Sequence, residues 1–118
     1  MKVKYSEILN ANEALSIISK EKVSIKEAVG IARVIKALRE EFPIFQEKQS
    51  ELIEMYGETT EDGRVKFKDE ESARLFNESY AELVNYEIDL NIEPVLLTSD
   101  IQINAETILQ IEKFIDFE

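Results

Sequence analysis

The sequence predicts a mainly helical α+β fold built on an antiparallel pair of long helices. Apolar residues recur at alternating spacings of three and four along residues 24–57, and this spacing keeps one face directed at a partner over many turns. Residues 70–86 repeat the spacing after a short polar connection, so the second helix can lie antiparallel to the first. We expect a single domain, 1–118, with flanking helices and a small two- or three-stranded β element.

The first 22 residues predict a strand followed by a helix. Residues 2–5 alternate lysine with an apolar residue, which is typical of a short strand that pairs with another edge. Ser6 is the expected N-cap of the helix, which should end near residues 20–22, where Lys20 and Lys22 suit the negative end of the helix dipole.

The central helix should begin at Ser24, which forms a capping box with Glu27 because the hydroxyl and the carboxylate each bind an unpaired backbone N–H. Its apolar seam consists of Ala28, Ile31, Ile35, Leu38, Phe42, Phe45, Gln49, Leu52 and Tyr56. A second stripe consists of Ile25, Val29, Ala32 and Ala37. Two stripes predict that the first half of the helix is buried from two sides.

Three residues of the central helix carry specific expectations. Gly30 indicates a close approach to another helix. Pro43 cannot donate to the carbonyl of Arg39, so we expect a kink at Phe42–Pro43 or a break into two helices. Gly57 is well placed as the C′ residue that ends the helix.

The second half of the chain alternates short extended segments with helices. Val65 and Phe67 mark a strand, and Asp69 should cap the helix that follows. Residues 88–92 alternate apolar and polar side chains and predict a half-buried strand, which Pro94 ends. Asn104 should cap a final helix with a broad apolar face formed by Ile108, Leu109, Ile111, Phe114 and Ile115. The β element is expected to combine residues 65–67 with residues 88–92.

Composition argues against several function classes. The chain has 14 basic and 25 acidic residues, a net charge of −11, which repels nucleic-acid backbones and anionic membranes. Histidine and cysteine are both absent, which removes the commonest general base and the thiolate ligands and nucleophiles. No motif for a nucleotide or a nucleophilic serine is present. We therefore expect no enzymatic activity, no catalytic residues, no cofactor and no metal site.

Residues 58–69 offer the strongest argument against this expectation, because they resemble a calcium-binding loop. Residues 58–69 lie between two helices, carry Gly63 at the sixth position and have acids at the fifth and twelfth positions, as an EF-hand loop does. However, Glu58 stands at the first position, Lys66 at the ninth and the shorter Asp69 at the twelfth. A polar turn into a strand explains the same residues, so we predict no calcium binding.

The strong acidity suggests a second function. Small acidic proteins can imitate DNA by presenting carboxylates at phosphate-like intervals and thereby block an enzyme that binds nucleic acid. Acids and bases are mixed on the central helix, as at Lys36, Arg39, Glu40 and Glu41, which argues against one uniform acidic stripe. The acidity has a simpler explanation, which is that a net charge keeps a small protein soluble.

The order of short motifs along the chain resembles a group of small acidic proteins encoded by tailed bacteriophages and prophages. The motifs are LNANEAL at residues 9–15, ELIEMYGE at 51–58, EDGRVKF at 61–67, YAELVNYEIDL at 80–90 and NAETILQIEKFID at 104–116. The resemblance implies a viral origin and a location in the bacterial host cytoplasm. It implies no catalytic or binding residues.

The sequence thus favours a non-enzymatic protein-interaction module, a phage-encoded accessory or assembly protein whose partner is a host or viral protein. The alternative is an acidic, DNA-mimic-like inhibitor of a host nucleic-acid enzyme. No apolar run long enough to span a bilayer and no export signal are visible, so we expect a cytoplasmic protein that contacts neither membrane nor nucleic acid. A homodimer through Gln49, Leu52 and Tyr56 is a further hypothesis, because the second helix is too short to cover the whole seam.

Overall fold

The computed structural model describes all 118 residues and contains four helices and six short strands. In chain order they are β1 (Lys2–Lys4), α1 (Tyr5–Ile18), α2 (Ile25–Tyr56), β2 (Gly57–Thr59), β3 (Val65–Phe67), α3 (Glu70–Val84), β4 (Glu87–Asp89), β5 (Val95–Leu97), α4 (Ala105–Ile111) and β6 (Ile115–Phe117). The β2–β3 hairpin joins the end of α2 to the start of α3, and Tyr80 near the end of α3 packs on Phe45 of α2. The two long helices therefore run antiparallel, which confirms the predicted α+β fold.

The strands form three separate two-stranded sheets, so the prediction that residues 65–67 and 88–92 share one β element is wrong. Strand β1 pairs antiparallel with β4, β2 pairs antiparallel with β3, and β5 pairs parallel with β6. The sequence pattern identified β1, β3 and β4, but it placed Ile115 on the final helix. That helix ends at Ile111, and Ile115 instead begins β6, where it is buried beside β5.

Three helix starts lie where the capping residues predicted them. The side chains of Ser24, Asp69 and Asn104 accept hydrogen bonds from the backbone N–H groups of Glu27, Ser72 and Thr107 at 3.2, 2.7 and 2.8 Å. Helix α1 differs from the prediction at both ends. Its N-cap is Lys4 rather than Ser6, since the carboxylate of Glu7 accepts from the Lys4 N–H at 2.9 Å, and it ends at Ile18 rather than at 20–22.

Helix α2 continues through Pro43 without a break. Gly57 does follow the last helical residue, but its backbone is extended (φ −162°, ψ −157°) and not left-handed. The need for glycine comes from the hairpin, because a Cβ on Gly57 would lie 2.6 Å from the carbonyl oxygen of Lys66. Gly57 thus ends α2 by starting β2, and only glycine lets the two strands approach this closely.

The buried core lies at one end of an elongated molecule measuring 53 × 29 × 21 Å. We call residues 1–45 together with 87–118 the body, and residues 46–86 the arm. The core is formed almost entirely by the body, where α1, the first half of α2, α4 and the β5–β6 sheet pack together. The arm consists of the second half of α2, the β2–β3 hairpin and α3. None of the four helices has the length and apolarity that crossing a membrane requires.

A candidate interaction groove beside the central helix

Three of the four residues of the second apolar stripe of α2 are exposed and the fourth, Ala37, is half-buried, so the prediction that this half of the helix is buried from two sides is wrong. Ile25 is 85% exposed and Val29 44% exposed, and Ala32 is exposed as well. The buried residues of α2 are Glu27, Ile31, Val34, Leu38 and Phe45. Each exposed member of the stripe precedes a buried residue by two positions, which is roughly 160° away around a helix of 3.6 residues per turn. The stripe therefore faces away from the core.

A groove runs between this part of α2 and residues 91–99, and it has a volume of about 1260 Å³. Val29, Gly30 and Arg33 line it on the helix side, and Pro94 and Leu96 line it on the other. Leu96 is 58% exposed, so apolar surface is present on both walls. We call this feature the α2–β5 groove.

Gly30 sets the distance between the two walls. A Cβ at this position would lie 3.1 Å from both γ carbons of Val95 on β5. Glycine in a helix interior is disfavoured by about 1 kcal/mol relative to alanine, so its presence here reflects packing. The expected close approach is therefore found, but the partner is strand β5 and not another helix.

At one end of the groove, Glu27 of α2 is hydrogen-bonded to residues of the opposite wall. Its carboxylate accepts hydrogen bonds from the Thr98 hydroxyl at 3.0 Å and from the Ser99 backbone N–H at 3.4 Å. Burial alone would raise the pKa of Glu27, but the hydrogen bonds from Ser99 and Thr98 outweigh it and hold the pKa below its ordinary value. The predicted capping box is thus half formed: Ser24 caps the helix, while Glu27 joins the helix to the residues after β5.

One wall of the groove is more basic than the rest of the chain. Residues 20–39 contain six basic and two acidic residues, although the whole chain is strongly acidic. One of the two acids is Glu27, which is buried and hydrogen-bonded. The cations on the groove are Lys26, Arg33 and Lys36, none of which forms an ion pair within the chain. The exposed carboxylates of Glu40 and Glu93 line the groove as well, so its surface carries charges of both signs.

The residues of the calcium-like pattern have structural roles. Asp62 accepts a hydrogen bond from the Thr60 hydroxyl and pairs with Arg64 at 3.4 Å, both within the β2–β3 turn. Asp69 caps α3, and Glu58 is an exposed residue of β2. Nowhere in the chain do three acidic side chains come close enough together to hold a metal ion.

The aromatic residues singled out in the sequence belong to the interior. Phe45 is buried between Tyr5 and Tyr80, with ring centroids 5.4 and 6.3 Å away, and Phe42 packs against the core. The sequence analysis did not predict the α2–β5 groove because it assigned the second stripe, which includes Val29, to the core. The signal that could have identified it is the set of lysine and arginine residues interleaved with that stripe.

No family model, curated protein or solved structure is significantly similar to this chain.

Proposed function

We propose that the protein is a non-enzymatic protein-interaction module that binds another protein in the α2–β5 groove. The observation that supports this proposal is the exposed apolar surface on both walls of the groove, where Val29 is 44% and Leu96 is 58% exposed. Apolar surface grouped in a concave site and rimmed by charges is typical of protein–protein contacts, whereas single exposed apolar residues are common everywhere.

The proposed biological setting is a phage-encoded accessory or assembly protein acting in a bacterial cytoplasm. This part rests on the resemblance of the sequence motifs given above, which implies the setting but names no partner. The groove supplies a site at which a host or viral protein would bind.

The test compares two exposed apolar residues of the same helix. Val29 lies on the groove, whereas Ile44 is 47% exposed and lies away from it. Val29→Glu and Ile44→Glu add the same charge at nearly equal exposure, so a general effect of the substitution on solubility or folding cancels. The full-length variants are used as bait in lysate from phage-infected and uninfected bacteria, and circular dichroism confirms that each is folded.

We expect at least one protein to be retained by the wild type and by Ile44→Glu and to be lost with Val29→Glu. A partner that Val29→Glu retains as well as the wild type does would contradict the assignment of the groove. Failure to retain any protein from either lysate would contradict the interaction function itself.

The alternative function, an acidic inhibitor of a host nucleic-acid enzyme, is favoured by the charge distribution. Residues 46–118 contain 19 acidic and 6 basic residues, whereas residues 1–45 contain 6 acidic and 8 basic ones. The negative charge is thus concentrated on the arm and the C-terminal part. For this alternative we expect the retained protein to bind nucleic acid, and to be displaced by added duplex DNA while Val29→Glu still retains it.

A further inference from the structure

The arm is held to the body by little buried surface. Helix α3 has no buried residue, and the one buried residue of the arm is Gly57 at the hairpin. The arm contributes only Tyr80, Leu83 and Val84 to the layer of half-buried side chains packed on the core, and all three lie near the end of α3. Few buried apolar contacts are typical of a segment that opens while the rest of a protein stays folded.

The chain crosses between the body and the arm at two places, and both are weakly held. On α2 the crossing lies at Pro43, which is exposed and has no N–H for the carbonyl of Arg39, so the helical ladder lacks a hydrogen bond there. The second crossing is at Tyr86, which is exposed and accepts a hydrogen bond from the N–H of Tyr5 at 3.3 Å. The ring of Tyr5 contacts both Tyr86 and Phe45, so the two crossings are close together in space.

The two helices of the arm carry charge of the same sign. Residues 46–56 contain three acidic residues and one basic residue, and α3 contains four acidic residues and one basic residue. Lys48 and Arg74 pair with glutamates of their own helices, and no ion pair joins α2 to α3. The two helices therefore repel each other, and dissolved salt screens repulsion between exposed charges.

We propose that the arm opens from the body as one unit, by the breaking of α2 at Pro43 and the separation of α3 from it, and that ionic strength controls how often it opens. In the open state the body remains folded, including α1, the first half of α2 and the α2–β5 groove. Opening uncovers Leu52 and Tyr56, which are half-buried beneath α3. This inference concerns the arm alone and does not depend on the function proposed for the groove.

Native-state hydrogen exchange of the full chain in increasing concentrations of urea tests the inference. We expect the protection factors of α3 and of residues 46–56 to be at least about a hundredfold lower than those of α1 and of residues 28–38. Exchange in the arm should also depend less on urea, because opening of the arm exposes less surface than global unfolding does. If the two groups of amides share one protection factor and one urea dependence, the chain opens only as a whole and the inference is overturned.

Two variants show whether the body is folded when the arm opens. Ile18→Val removes one methyl group from a side chain of α1 that is 0% exposed, and it should speed exchange in the body by about two- to tenfold. It should leave exchange in the arm unchanged, because Ile18 stays packed when the arm opens. Leu52→Ala, the corresponding variant in the arm, should speed exchange there by about fivefold. Equal acceleration of the body and the arm by Ile18→Val would contradict separate opening.

The position of the break is tested by Pro43→Ala, which restores the missing N–H. We expect exchange in the arm to slow by about fivefold or more, because the closed helix gains a hydrogen bond that the open state lacks. Unchanged exchange in the arm would show that α2 does not break at Pro43.

The role of charge is tested by salt and by neutralisation. Raising sodium chloride from about 10 mM to about 150 mM shortens the Debye length from about 30 Å to about 8 Å, and exchange in the arm should slow by about threefold or more. Glu47→Gln with Glu82→Gln removes two exposed, unpaired acids of the arm and should slow its exchange at low salt. Glu13→Gln with Glu112→Gln removes the same charge from the body and should leave exchange in the arm unchanged. Control by ionic strength is overturned if exchange in the arm does not respond to salt, or if the body variant slows it as much as the arm variant does.

Discussion

The body and the arm are built on the same helix with the same apolar spacing, yet they are packed very differently. The arm contributes one buried residue, Gly57, whereas the body contributes eighteen. In the body, α2 packs on α1 and also contacts β5 where Gly30 meets Val95, with α4 packed on α1. In the arm, α2 meets only α3 and the hairpin, so its seam residues remain half-buried. Burial thus depends on how many elements surround a seam and not on the spacing of the seam itself.

A row of aromatic rings connects the two regions. Phe67, Phe76 and Tyr80 of the arm follow one another with ring centroids 5.1 and 5.7 Å apart, and Tyr80 contacts Phe45, which contacts Tyr5 in the body. Aromatic pairs at such distances contribute about 0.5–1.5 kcal/mol each beyond the area they bury. The row therefore compensates in part for the missing third layer of the arm.

The largest expected effect is a loss of free energy of unfolding, which we compare for one leucine from each region. Leu38→Ala should reduce the free energy of unfolding by roughly 2–5 kcal/mol, because Leu38 is 1% exposed and its removal leaves a cavity. Leu52→Ala in the half-buried arm should cost only about 1 kcal/mol, near the average for single substitutions. Urea denaturation of both variants measures the difference. Equal losses would mean that the arm is packed as tightly as the body.

Pro43 lies close to the junction of the two regions and should lower the stability of α2. Pro43→Ala restores the N–H that can donate to Arg39 and removes the ring clash, and the site is exposed. We expect the free energy of unfolding to rise by about 1–3 kcal/mol. Hydrogen exchange shows which residues become more stable, and we expect slower exchange in residues 46–56. Unchanged exchange there would show that the arm opens independently of the junction.

Within the body, the Glu27 carboxylate should make stability depend on pH. Its pKa in the folded protein lies below the ordinary value of 4.5, so its contribution is complete above that value and is lost as the pH falls through the folded pKa. Glu27→Gln should therefore be less stable than the wild type at pH 7, and the difference should shrink toward pH 3. Glu40→Gln, at an exposed site on the same helix, serves as the control for the loss of one negative charge.

The arm is also the region through which we predict that two copies of the chain associate. Gln49, Leu52 and Tyr56 are only half-buried beneath α3, so a second copy that covers them remains a hypothesis. Sedimentation at micromolar concentration should show a dimer that Leu52→Glu dissociates while the helical circular-dichroism signal is kept. A monomer mass at every concentration would exclude this contact, and unfolding of Leu52→Glu would assign Leu52 to the monomer core.

The smallest expected effect concerns the hairpin of the arm. We predict that calorimetry with micromolar to millimolar calcium shows no saturable heat, because Asp62 and Asp69 are engaged in a turn and a helix cap and no three acidic side chains are grouped so that they could hold a metal ion. An isotherm that Asp62→Ala abolishes would contradict this prediction.

The local features of this protein can be derived from its sequence alone. The starts of α2, α3 and α4 follow from Ser24, Asp69 and Asn104, because a capping side chain acts on N–H groups within the next turn. The antiparallel pairing of α2 and α3 follows equally from their matching spacing and from the short connection of residues 57–69, which favours antiparallel neighbours. The main seam residues from Ile31 to Phe45 were correctly predicted to face the core or its edge.

The pairing of the strands, and which of the two stripes on α2 is covered, depend instead on contacts between distant parts of the chain. Glu27 is buried because Thr98 and Ser99, more than seventy residues later, satisfy its carboxylate, while Ile25 and Val29 are exposed because no element packs on their side. Spacing along a helix fixes which residues share a face, but burial of that face depends on elements distant in the sequence. The α2–β5 groove arises from this difference, since it lies where β5 approaches α2 without covering it.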